Sequence, residues 1–248
     1  MKTGRDHYAE IYATQLDAEA KWLAFGAVEK ANSVEKLVRS RLPHPKTLME
    51  LGAGTGAIIS ELKRRSFARE YLAIDYSLDA CRYMRESLQG VVVRRADIIT
   101  ERILEKANVV VVSHVLEHLE QPEQLLRGIL TNVDFDWLVI ECPLEDLVAS
   151  RIKNKFRNRL DNLAGHVQFF TPHSLRELVE QWVDIVDFRH YASWAPPKMV
   201  EFIAEKDHLS SRSRWIKHLT MGFLPRAMSP LWKHFWIGNY AVLCKRKG

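Results

Sequence analysis

Three residues in one short stretch could do chemistry together: His114, Glu117 and His118, within Ser113-His114-Val115-Leu116-Glu117-His118. If the stretch turns as a helix, they stand at i, i+3 and i+4 on one face. Two imidazoles and a carboxylate so placed could hold one divalent ion. Equally, a histidine with a near-neutral pKa could take a proton as a general base. A further histidine, His166, precedes the aromatic pair Phe169-Phe170 and a helix start at Thr171-Pro172.

A second pattern binds rather than reacts. Gly52, Gly54 and Gly56 alternate between the apolar run Leu48–Leu51 and the helix-like Ala57-Ile58-Ile59-Ser60-Glu61-Leu62. Such glycines let the chain turn sharply after a buried strand and leave bare backbone for a ligand at a helix N-terminus. The Gly-x-Gly-x-x-Gly of a dinucleotide site would need glycine at Ala57. Asp75 closes the next apolar run, where an ionised carboxylate can accept from two ribose hydroxyls. A nicotinamide-binding chain would also place an acid there, which keeps a reductase as a distant alternative.

The elements that must position these groups follow from apolar periodicity. Residues 7–41 read as helical, with apolar positions at Tyr8, Ile11, Tyr12, Trp22, Leu23, Phe25, Val34, Leu37 and Val38, and Pro43 and Pro45 end them. Then strands alternate with helical stretches: Leu48–Leu51, Tyr71–Asp75, Val91–Val93, Val109–Val112 and Trp137–Ile140. This order predicts an α/β chain with a largely parallel, doubly wound sheet. Val183–His190 and Asn239–Lys245 supply two more strands. The long 194–236 segment between them, rich in Trp and basic residues, reads as a helical insertion or lid.

In this order, Glu50, the glycine triplet, Asp75 and Asp97 resemble the motifs of the class I S-adenosylmethionine-dependent methyltransferases. The resemblance covers about residues 45–190 and the last strand. It implies a Rossmann-like seven-stranded sheet, mostly parallel with the last strand antiparallel, preceded by N-terminal helices. It also implies roles: Glu50 near the cofactor's ammonium, Gly52, Gly54 and Gly56 beneath its amino-acid end and ribose, and Asp97 on the adenine amino group. The Ile98 backbone N–H meets a ring nitrogen, and Tyr76 and Ser113 complete the cofactor site. The Ser113–His118 stretch is similar to two metal-dependent branches, the ubiquinone-biosynthesis O-methyltransferases with Glu-x-x-Glu-His, and the small-RNA 3′-terminal 2′-O-methyltransferases, which add a downstream histidine. Carried over by position, Glu117 and His118 match, His166 takes the place of the fourth ligand, and His114 stands where those branches have Glu. A metal set of His114, Glu117, His118 and His166 is nitrogen-rich, favouring Zn²⁺, Mn²⁺ or Fe²⁺ over Mg²⁺. Without a metal, His114, His118 or His166 is the candidate base, or the stretch simply walls the cofactor pocket. Methyl transfer from a sulfonium to a hydroxyl needs such help, because the hydroxyl is a poor nucleophile.

Composition sets the remaining expectations. The 248 residues suit one α/β domain. They are divided here into an N-terminal helical cap (1–46), a core (47–193 plus 237–248) and an insertion (194–236). Cys81, Cys142 and Cys244 form no disulfide framework, and no signal peptide or membrane span is evident, which points to the cytoplasm. The net charge of +5 is concentrated late: residues 151–248 carry 17 Lys and Arg against 8 Asp and Glu. With the basic run Arg151–Arg159 before His166, this suggests a small-molecule or glycan acceptor, sugar-containing or otherwise polar and anionic. The Trp-rich insertion could touch a membrane surface. The expected activity is O-methylation. An RNA 2′-O-methyltransferase and a non-catalytic cofactor-binding regulator are the alternatives, and nucleic acid is the less favoured partner because no RNA-binding module accompanies the core. Oligomeric state is not legible.

Overall fold

The computed structural model describes residues 4–146, 165–192, 194–235 and 238–248. The basic run Arg151–Arg159 lies outside the described residues. Two helices lead, α1 (Gly4–Thr14) and α2 (Leu16–Arg39). Strands and helices then alternate through β1 (Thr47–Leu51), α3 (Ala57–Arg64), β2 (Glu70–Asp75), α4 (Leu78–Ser87), β3 (Val92–Arg95) and β4 (Lys106–Ser113). A 3₁₀ turn (Leu116–His118), α5 (Pro122–Asn132) and β5 (Asp134–Leu144) follow, and α6 (Pro172–Glu180) leads to β6 (Val183–Ala192). Before β7 (Gly238–Arg246) come α7 (Pro197–Lys206), α8 (Ser211–Lys217), a π-helical turn (His218–Phe223), α9 (Leu224–Ala227) and α10 (Ser229–Phe235).

The sheet order is β3-β2-β1-β4-β5-β7-β6. The first five strands are parallel and β7 runs antiparallel to both β5 and β6, as the resemblance implied. Apolar side chains alternate between two buried layers. Met49, Leu51, Val110 and Val112 face α5 and α6, whereas Leu48, Val109 and Val111 face α2, α3 and α4. Both sheet faces are covered, which is why these strands read as continuous apolar runs rather than alternating ones. Turn chemistry fixes the helix starts. Ser77 caps α4 through Ala80 N at 3.3 Å. Thr171 and Ser174 form a capping box at α6, contributing about 1 kcal/mol. Among the described residues no helix is long and apolar enough to cross a membrane. The switch in strand order lies between β1 and β4, so a crevice opens beyond their carboxyl ends, where ligands bind in such sheets.

Candidate active site

The crevice is a cavity of about 950 Å³ under α1. Its floor is the β1–α3 turn. Gly52 and Gly54 hold φ of +69° and +56°, which side-chain-bearing residues rarely adopt. Asp75, buried at the end of β2, accepts from Gly54 N through Oδ2 and from Ser77 N through Oδ1, both at 2.8 Å. These bonds hold the carboxylate at the end of β2, on the lining of the cavity. Glu50 accepts from Ile59 N at 2.9 Å through Oε2, and burial pushes its pKa up to about 8. Tyr76, Asp97, Ile98 and Ser113 also line the cavity. Asp97 accepts from Ile99 N at 3.1 Å, and Ser113 Oγ points to Glu141 Oε1 at 3.4 Å. Gly56 does not line the cavity. A side chain there would meet Leu88 at 2.5 Å and Met84 at 3.1 Å, so this glycine lets α3 pack closely on α4.

At the far end of the floor the chemistry-bearing residues meet. One ligand atom each of Glu117, His118 and His166 lies within 4.8 Å of the others, and all three residues are buried. The backbone of the 3₁₀ turn brings His166 in: Glu117 O accepts from Val167 N at 2.8 Å and Gln168 N at 3.0 Å. His118 Nδ1 faces Gly165 O at 3.3 Å. A carbonyl can only accept, so that nitrogen carries the proton and Nε2 presents a lone pair. That lone pair faces Tyr8 Oη at 3.2 Å and Glu117 Oε1 at 3.8 Å. Burial lowers the His118 pKa to about 3, keeping the ring neutral. His166 behaves oppositely. Burial opposes its charge, but the Glu145 hydrogen bond, at 2.6 Å from Nδ1, and the Glu117 carboxylate raise its pKa overall. Glu117 is 1% exposed, and neither of its oxygens has a hydrogen-bond partner. Burial pushes its pKa up to about 7.

His114 departs from the sequence expectation. The helical turn covers only Leu116–His118, and His114 sits before it with a left-handed φ of +56°. Its ring turns between two carboxylates, with Nδ1 3.4 Å from Glu117 Oε1 and Nε2 3.7 Å from Glu141 Oε1. It therefore stands outside the Glu117–His118–His166 group, because its backbone conformation breaks the one-face geometry assumed for i, i+3 and i+4. Burial lowers its pKa well below the usual histidine range.

Sequence reasoning missed four residues of this site. Tyr8 from α1 covers His118, with ring centroids 4.8 Å apart. Glu145 orients His166. Glu141, 1% exposed at the centre of the sheet, faces Ser113 and His114. Lys30 of α2 lines the cavity among Glu141, Glu117 and Glu50, whose charges it feels. A signal for Lys30 existed: it interrupts the helical stripe of Ala27, Ala31, Val34 and Leu37, where a lysine has no ordinary place.

Beyond the histidines the cavity lining carries a group of aromatic and apolar side chains beside the polar Gln15, Glu19, Glu29, Lys206 and Asp207. Trp22 and Phe25 of α2 face Trp194, Met199 and Phe202 across the cavity, and the Phe25 and Phe202 rings lie 5.8 Å apart. On the outer surface, Trp215, Phe223 and Leu231 are exposed. The basic residues beside them are already engaged, Arg214 with Glu201 at 2.8 Å, Lys217 with Asp207 at 3.0 Å and Arg226 over Trp194.

A family model described as a methyltransferase domain matches residues 24–182. Chondramide synthase of Chondromyces crocatus is 42% identical over 62 residues, a quarter of this chain. The chain spans about 2% of that relative's length. A solved structure of coclaurine N-methyltransferase bound to N-methylheliamine and SAH superposes with a TM-score of 0.60 at 17% identity, covering 89% of this chain and 72% of the other. An S-adenosylmethionine-dependent methyltransferase of Thermotoga maritima gives 0.61 at 14% identity, covering 97% and 100%. At these identities the likeness is one of fold.

Proposed function

The chain belongs to the methyltransferase domain family, and from that premise we propose that it methylates a hydroxyl oxygen activated by Glu117, His118 and His166. The family and the fold support S-adenosylmethionine as the methyl donor. The cofactor fits the cradle. Bare backbone at Gly52 and Gly54, the buried Asp75 carboxylate and the acceptor oxygen left on Glu50 suit a ribose and an α-amino group. When bound, the cofactor supplies an electrophilic methyl group on a cationic sulfur. The chain's task is then to seat the acceptor oxygen opposite that methyl and take away its proton.

The single observation behind the finer reading is the Glu117 carboxylate, buried with both oxygens unbonded beside two histidines. An unpaired buried carboxylate is costly unless a proton or a cation meets it. The donor set of one carboxylate and two imidazoles suits Zn²⁺, Mn²⁺ or Fe²⁺ better than Mg²⁺. The carbonyl behind His118 and the carboxylate behind His166 are the partners that orient metal-binding histidines. Such an ion would lower the pKa of a hydroxyl that it ligates. With no ion, His118, which lines the cavity and keeps a lone pair on Nε2, is the group placed to take the proton.

The apolar wall of Trp22, Phe25, Trp194, Met199 and Phe202 favours an acceptor that carries its hydroxyl on an apolar ring or chain. The test has two parts. Metal content is measured in protein purified without chelators, beside His118→Ala and His166→Ala. Label transfer from the methyl-labelled cofactor is followed across phenols and catechols with apolar substituents, nucleotide-sugars, RNA 3′ ends and amines. Transfer to a hydroxylated apolar acceptor that both variants abolish supports the reading. Transfer to amines or RNA alone overturns it, and cofactor binding without any transfer supports a regulatory protein.

A further inference from the structure

Exposed apolar side chains are concentrated on the insertion before β7. Of the twelve large apolar side chains exposed among the described residues, five lie within residues 215–231: Trp215, Ile216, Phe223, Met228 and Leu231. Trp215 and Phe223 are each 65% exposed, and apolar surface gathered in this way marks an interaction site. The backbone stays in the right-handed helical region from α8 through the π-helical turn into α9. Eight residues of plain α-helix would leave Phe223 about 80° round the axis from Trp215. A π turn holds an extra residue, which returns the pair to the spacing of i and i+7, on one face. The turn is anchored from within, where Ala195 N donates to Met221 O at 2.7 Å. Met221 lines the cavity with Trp194, Met199, Phe202 and Ile203, whereas none of the five exposed residues lines it.

Charge on the same segment selects the partner. Residues 194–235 carry seven Lys and Arg against three Asp and Glu. Two of the three acids are met by bases of the segment itself, Glu201 by Arg214 and Asp207 by Lys217. Lys198, Lys206, Arg212, Arg226 and Lys233 are left against Glu205. The stacking of Arg226 on Trp194 and the bond from Lys233 to His190 O leave both charges in place. Outward aromatic and aliphatic side chains on a basic helical segment suit the headgroup layer of an anionic bilayer. We propose that the insertion is a membrane-docking surface. Trp215, Ile216, Phe223, Met228 and Leu231 enter the headgroup layer of a bilayer containing anionic lipid, and the basic surplus draws them there.

The full chain is tested by flotation with vesicles of phosphatidylcholine alone and of phosphatidylcholine mixed with phosphatidylglycerol, at low and high salt. The mixed vesicles should be bound about 10-fold more tightly than the neutral ones, and salt should erase most of the difference. Trp215→Ser combined with Phe223→Ser should weaken binding to the mixed vesicles by about 10-fold. The melting temperature should hold, because neither side chain is buried. Brominated phosphatidylcholine in the mixed vesicles should quench tryptophan fluorescence, and Trp215→Phe should remove most of that quenching. No binding to the mixed vesicles at low salt overturns the proposal. Binding that the double variant leaves intact overturns it too, since the contact then lies elsewhere. Equal binding to both vesicle types removes the anionic lipid from the recognition and overturns the assignment. A dimer in solution that the double variant dissociates gives this face to a second copy of the chain instead.

Discussion

Glu145 Oε2 accepts from His166 Nδ1 at 2.6 Å, which fixes the tautomer and direction of a ring drawn in from 48 residues beyond His118. The bond turns the rest of the imidazole toward Glu117 and His118. Glu145 is thus a positioning residue. If the three residues hold a divalent ion, Glu145→Ala should weaken it by about 10- to 100-fold, read by chelator competition. Loss of activity with metal affinity intact would instead assign Glu145 to the acceptor.

Gly165 holds φ at +68°, and a Cβ there would collide with the His7 ring of α1. Gly165→Ala should cost about 1–3 kcal/mol through backbone strain and the clash together. Adding His7→Ala should relieve the clash and leave the strain, so the double variant should melt between the wild type and Gly165→Ala. A double variant no better than the single one would show that the contact with α1 is unimportant.

Burial raises the Glu50 pKa from 4.5 to about 8. A folded pKa above the unfolded one gives stability that is fully present below about pH 4.5 and lost as pH rises through 8. Glu50→Gln removes that loss. Without ligand, the variant should melt higher than the wild type at pH 8.5, with the gap closing near pH 5, yet bind S-adenosylhomocysteine more weakly. A gap independent of pH would contradict the assignment.

Glu61 ties α3 to α2 through Arg65, which also meets Glu35 at 2.7 Å. The Arg64 hydrogen bond, followed by that of Arg65, lowers the Glu61 pKa to about 2 against a burial penalty. A depressed carboxylate pKa contributes stability above the unfolded 4.5, lost as pH falls toward 2. Glu61→Gln should cost about 1–2 kcal/mol at pH 7, since Glu61 is largely shielded but Arg64 is exposed. Urea melts at pH 7 and pH 3 should show the difference shrinking at the lower value.

By itself the sequence determined the strand and helix order, since two buried sheet faces write uninterrupted apolar runs such as Val109–Val112 into the chain. It also marked the turn at Gly52 and Gly54 and the acid at Asp75, because positive φ and strand-end carboxylates are local requirements. The exact conformation at His114 was not legible: a left-handed residue ahead of a 3₁₀ turn looks, in spacing alone, like the start of a helix. That Gly56 also leaves room for Leu88 and Met84 was decided by the packing of α3 against α4. Tyr8, Lys30, Glu141 and Glu145 reach the site from α1, α2, the β5 strand and the residue that follows it. Local periodicity records which face of an element is buried. It does not record what waits on the other side, and only the pairing of distant backbone, such as Val167 and Gln168 on Glu117 O, brought those groups together.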